Sequence, residues 1–106
     1  MDPMVVKHGE IWWLELEREK ARPVLVVTRD EAIEVLQRVV VAPVTGTLRQ
    51  ARSQLPLGPA EGLPHESVAN FDDLRPVPKA LLVRRLGRLG PRLDELCATL
   101  GAMAGC

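Results

Sequence analysis

The chain has 106 residues, 14 basic and 14 acidic, and 46% of it is apolar. That length suits one domain, residues 1–106, with one modest core, and a net charge of zero argues against a dedicated duplex-DNA binder. No apolar run approaches the roughly 20 residues of a membrane span, and "MDPMVVKHGE" has no apolar signal region, so the expectation is a cytoplasmic protein with no membrane partner.

The aromatics are Trp12, Trp13 and Phe71, so the core is built mainly from Val and Leu. "GEIWWLELE" (9–17) alternates, with Trp12, Leu14 and Leu16 on one face and Trp13, Glu15 and Glu17 on the other. That predicts a half-buried strand. After the charged turn "REKA", the run "RPVLVVTR" lacks alternation and predicts a strand covered on both faces, with a proline tolerated at its start. "DEAIEVLQ" predicts a short helix or wide turn with Asp30 as N-cap.

"RVVVAPVT" (38–45) is a Val-rich strand in which Pro43 marks an edge, a bulge or a strand end. Loops follow at 46–52 and 58–66, separated by a short strand "SQLPL" (53–57). "SVANFDDLRPV" begins as a strand and ends in a polar turn, and "KALLVRRLGRL" is a strand with a Gly87 kink. "GPRLDELCATLGAM" is the clear helix. Pro91 suits its first position, Leu93, Leu96, Cys97 and Leu100 form one apolar stripe, and Asp94 and Glu95 favour its positive end. Five or six short strands with Gly/Pro turns predict a small, bent antiparallel sheet or barrel closed by that helix.

Cys97 and Cys106 lie nine residues apart with no CxxC partner, which predicts reduced thiols rather than a disulfide or metal site. His8 and His65 are far apart and lack ligand spacing, so no metal or other cofactor is expected, and each histidine alone reads as a surface residue. From Lys79 to Arg92 there are five basic residues and no acidic one. That run is either a local basic patch, able to track a nucleic-acid backbone, or a solvated face. What remains for chemistry are polar residues at strand ends: Arg22, Thr45, Asn70, Asp72 and Asp73. Arg22 stands out, because a planar multi-donor cation at the mouth of an apolar strand suits a carboxylate or a phosphate. A surface ion pair with Glu15, Glu17 or Asp72 is the simpler alternative.

The segments "HGEIWW", "ARPVLVVT", "VVVAPVT", "ESVANFDDLRPV" and "RRLGRLGPRLDEL" occur in the order and approximate spacing of the MazF/PemK toxins, and the chain resembles that family from about Gly9 to Leu100. The resemblance implies a mainly β fold, a small SH3-like antiparallel β-barrel with a C-terminal helix, shared with gyrase-poison toxins. It implies a homodimer and a toxin of a type II toxin–antitoxin system. It implies a metal-independent, sequence-specific endoribonuclease that cuts single-stranded RNA to 2′,3′-cyclic phosphate and 5′-hydroxyl ends, blocked by an acidic antitoxin. The family's catalytic arginine and threonine map onto Arg22 and Thr45, and an acidic residue in RNA handling maps onto Asp72. Asn70, Glu17, Lys20 and Arg84 are the further RNA-binding candidates. The turn from Leu16 to Arg22 is shorter than in many relatives, which weakens the carry-over to Glu17 and Glu19.

Cleavage by RNA's own 2′-hydroxyl needs alignment of the attacking oxygen and stabilisation of a phosphorane. A guanidinium supplies paired hydrogen bonds to phosphate, and a threonine hydroxyl supplies another. Arginine is a poor base, so the proton acceptor stays open among Glu17, Glu19 and Asp72. The alternative on the same fold is a toxin that acts by protein contact without cutting nucleic acid.

Overall fold

The computed structural model describes residues 5–46 and 52–104, the last three by backbone alone. Seven strands, β1 (Glu10–Leu14), β2 (Arg22–Val26), β3 (Arg38–Thr45), β4 (Gln54–Leu57), β5 (Ser67–Asn70), β6 (Arg75–Pro78) and β7 (Leu82–Arg88), run with a short helix α1 (Asp30–Ile33) and a C-terminal helix α2 (Leu93–Ala104). The sheet order is β4-β5-β3-β2-β1-β7, with β6 also paired to β3, and every pairing is antiparallel. The result is a curled half-barrel with one C-terminal helix, in the mainly β class that the sequence predicts.

β3 organises the curl. One flank pairs with β2 through Val41–Pro43. The other pairs first with β6 through Arg38–Val41 and then with β5 through Val44 and Thr45. The Val40 carbonyl accepts from Val27 N–H at 2.9 Å, so Val40 faces β2, and strand alternation turns Pro43 toward the opposite flank. There, Pro43 falls between the last β6 pair and the first β5 pair. Its missing N–H lands in a gap of the ladder, which is how a proline fits inside a strand.

β6 overturns the predicted polar turn over "LRPV". Pro76 and Pro78 look like breakers, but β6 pairs on one side only. Alternation points their nitrogens outward and leaves Arg75 and Val77 to face β3. The strand predicted from Lys79 starts later, because Lys79–Leu81 form a 3-10 turn before β7.

Two apolar layers cover the sheet. Ile11, Leu25, Ala42, Val44, Phe71 and Leu96 belong to the layer beneath α2, and Trp12, Leu14, Val24, Val26, Val39 and Val41 to the other. β2 is thus covered on both faces as expected. β1 is not half-buried, since Ile11 and Trp12 are both fully enclosed. Burying the Trp12 indole requires a partner for its N–H. Glu10, itself 5% exposed, accepts Trp12 Nε1–H at 3.0 Å and Lys7 N–H at 2.8 Å, and pairs with Arg85 at 3.1 Å.

Three local expectations change. Asp30 is the first residue of α1, with Arg29 at the N-cap position; its carboxylate instead accepts His8 N–H at 2.8 Å, tying α1 to the chain start. Pro91 sits in a 3-10 turn, Gly90–Arg92, that leads into α2. Arg92 there donates to Glu95 and to the Pro56 carbonyl and pairs with Glu61 at 3.2 Å, which pins the helix start to β4. Cys97 is in a disulfide and not a thiol. A nine-residue interval rules out CxxC spacing but sets no bar to a bridge; Cys106, the chain's other cysteine, lies outside the described residues. Among the described residues, no helix is long and apolar enough to cross a membrane.

Candidate active site

The β2–β3 ladder pairs Leu25 with Ala42 and Val24 with Pro43. The ladder ends at Val24–Pro43; Arg22 and Thr45 each lie two residues beyond that last pair, and strand alternation puts Arg22 on the face of Val24 and Thr45 on the face of Pro43. Arg22 is the first residue of β2 and is opposite Leu14 of β1 on its other side. It is half-buried. Its guanidinium has no hydrogen-bond or ion-pair partner among the described residues, including Glu15, Glu17 and Asp72. Thr45 ends β3, also half-buried, opposite Val68 of β5.

Beside Thr45 opens a cavity of about 560 Å³. Trp13, Pro23 and Leu86 contribute its apolar wall, and Thr45, His65 and Arg84 bring polar groups. Arg22 is not among the residues that line it, although its neighbour Pro23 is. The two tryptophans therefore divide: Trp12 belongs to the core, while Trp13, on the opposite face of β1, lines the cavity.

Of the sequence-derived candidates, Arg22, Thr45 and Arg84 gather at this end of the sheet. Glu17 and Lys20 are exposed in the turn that joins β1 to β2, directly before Arg22. Asn70 and Asp72 lie away from the cavity. Asn70 is two residues beyond Val68 along β5, about 7 Å further along the strand. Its side chain accepts Asp72 N–H at 3.1 Å, and the Asp72 carboxylate takes the Ser53 hydroxyl at 2.6 Å. The turn is nonetheless linked to that region: Arg75 pairs with Asp73 at 3.0 Å and with Glu19 at 3.8 Å. The Asp73 hydrogen bond holds the Arg75 guanidinium more firmly protonated than usual.

Arg85 of the basic run is committed to Glu10, so the run divides between a structural partner and the cavity mouth. Residues 47–51, in the predicted loop 46–52, lie outside the described residues. Among the described residues no group of three or more His, Cys, Asp or Glu side chains is placed to hold a metal ion. His65 was not legible as a site residue, because a lone histidine in a Gly/Pro loop carries no spacing signal. Its place in the cavity arises from how that loop crosses the sheet.

A profile of the PemK-like, MazF-like toxins of type II toxin–antitoxin systems matches residues 7–103. The chain belongs to that family. It is 41% identical over 101 residues, 93% of each chain, to a Mycobacterium tuberculosis protein described as a probable endoribonuclease, MazF5. It is 40% identical over 103 residues to another, MazF2, covering 95% of this chain and 100% of that one. The solved M. tuberculosis toxin MazF-mt6 superposes with a TM-score of 0.78 at 33% identity, over 88% of this chain and 93% of that one. A mycobacterial endoribonuclease solved with its cognate antitoxin shares the fold at a TM-score of 0.79 and 22% identity, over 92% of each chain.

Proposed function

We infer that this toxin is an endoribonuclease that cuts single-stranded RNA at a short sequence through attack of the RNA's own 2′-hydroxyl, leaving 2′,3′-cyclic phosphate and 5′-hydroxyl ends. The observation that carries the reading is the half-buried Arg22 guanidinium, unpaired among the described residues, with Arg22 and Thr45 each two residues beyond the last β2–β3 pair, Val24–Pro43. A half-buried cation without an anion favours binding one. A phosphodiester laid between the two strand ends would receive paired N–H donors from Arg22 and an orienting hydroxyl from Thr45. Charge stabilisation of that kind contributes most as the phosphorane forms. The endoribonuclease names of the relatives at 41% and 40% identity point the same way.

Arg84 at the cavity mouth, with Glu17 and Lys20 in the preceding turn, contacts the RNA strand on either side of the cut. Asn70 and Asp72 contact a more distant nucleotide. The reaction needs no metal or other cofactor. The toxin works in the cytoplasm as a homodimer, and an acidic, partly disordered antitoxin covers the groove. Light scattering of purified protein should give twice the chain mass; a monomer at micromolar concentration would contradict the dimer.

The activity is tested by incubating purified protein with a long RNA in EDTA and mapping the new ends. Cuts at one short motif with 5′-hydroxyl termini support the reading. Intact RNA, together with stalled gyrase–DNA complexes, would instead place the toxin among those that act by protein contact.

A further inference from the structure

The cavity beside Thr45 contains one group with the chemistry of a proton acceptor, and it is not any of the three acids considered from the sequence. Glu17 and Glu19 are exposed in the β1–β2 turn and Asp72 is engaged by Ser53; none of them lines the cavity. His65 does, together with Thr45 and Arg84.

The loop that carries His65 is braced at several points. The Glu61 carboxylate accepts Gly58 N–H at 2.7 Å and pairs with Arg92. Gly62 lies directly against the backbone of β7. The His65 carbonyl accepts the Ser67 hydroxyl at 3.2 Å. The imidazole is oriented too, with Nδ1 3.3 Å from the Glu66 carbonyl oxygen. A carbonyl can only accept, so this contact is a hydrogen bond in the tautomer with its hydrogen on Nδ1, whose Nε2 keeps its lone pair.

We propose that His65 accepts the 2′-hydroxyl proton in RNA cleavage; this rests on the endoribonuclease reading of the same cleft. The 2′-O–H proton passes to Nε2, the 2′-oxygen bonds to phosphorus, and the P–O5′ bond breaks. The leaving 5′-oxygen takes a proton from water, and His65 returns its own to the resulting hydroxide. Among the described residues, Arg84 from β7 is the charged side chain that lines the cavity with His65. No acidic side chain from β1, β2, β3 or β7 lines it, and the neighbouring Glu66 carboxylate lies beside Gly58.

The test compares full-length wild type with His65→Ala and His65→Gln, all checked for folding by circular dichroism. An oligonucleotide spanning a mapped cut site is cleaved under single-turnover conditions, and a 2′-deoxy version measures affinity. The expected result is a cleavage rate about 100-fold or more lower in both variants, with affinity for the 2′-deoxy strand within about twofold of wild type. Added imidazole should restore part of the His65→Ala rate. The pH profile of the cleavage rate should differ between wild type and both variants. Variants that keep the wild-type rate and pH profile overturn the proposal while leaving the nuclease intact. So does a rate loss that merely follows lost affinity and is not rescued by imidazole. A wild-type protein that cuts no RNA overturns the endoribonuclease reading itself, and this proposal with it.

Discussion

Gly62 and Gly87 lie backbone against backbone where the β4–β5 connection crosses β7. A Cβ on Gly87 would overlap the Glu61 carbonyl, and a Cβ on Gly62 would overlap the Leu86 carbonyl. Gly62 also has φ +93°, in the left-handed region that favours glycine. This contact closes the half-barrel on the cavity side and sets the height of the loop that bears His65. Because the obstacle is backbone, rotamer changes cannot relieve it.

Gly87→Ala should therefore lower the unfolding free energy by about 1–3 kcal/mol, measured by urea denaturation. Gly46→Ala is the control, since nothing among the described residues lies within 4 Å of its added methyl; it should change stability by less than about 0.5 kcal/mol. Equal effects at the two sites would mean that the crossing is not tight.

Glu10 should matter more than its ion pair. It is the acceptor for the buried Trp12 N–H and for Lys7 N–H, whereas the Arg85 side chain is 61% exposed. Glu10→Ala should cost about 3 kcal/mol by leaving buried groups unpaired, and Arg85→Ala at most about 1 kcal/mol. Thermal or urea unfolding of the two variants separates these contributions; an Arg85 effect as large as that of Glu10 would contradict the assignment.

The Arg92–Glu95 pair makes a pH prediction. Hydrogen bonding from Arg92 holds the Glu95 carboxyl below its ordinary value of 4.5. A carboxyl depressed by folding stabilises the protein above its unfolded value, and that contribution is lost as pH falls through the lower folded value. Wild type should thus lose stability below about pH 4.5 more steeply than Glu95→Gln, with the two curves converging at the acid end. The side chains are partly solvated, so the difference should be small and should shrink in high salt. Curves that stay parallel through this range would remove the pair from the account of how α2 is anchored.

Much of the fold is legible in residue pattern. The Val-rich run 38–45 coincides with β3, and the uninterrupted run after Arg22 marks a strand buried on both faces. β6 is hidden because its prolines are harmless only on a strand with one neighbour, a fact of topology. Burial of both faces of β1 is hidden for the same reason: Ile11 meets its core only once α2 folds back. Arg22 and Thr45 are named by family resemblance, and each lies two residues beyond the last β2–β3 pair, Val24–Pro43. Asn70 and Asp72 show the opposite case, since they are close in sequence to the strand facing Thr45 yet directed to Ser53 and to each other. The cavity and His65 depend on a loop crossing that requires two glycines twenty-five residues apart, which no local pattern announces.

The central claim is that the Arg22 guanidinium stabilises a scissile phosphodiester beside Thr45. Its most direct measurement is the single-turnover rate at which Arg22→Ala cuts a mapped RNA in EDTA, beside wild type of equal thermal stability. The account predicts a loss of at least about 100-fold, with the fold retained. Cleavage at the wild-type rate would contradict it.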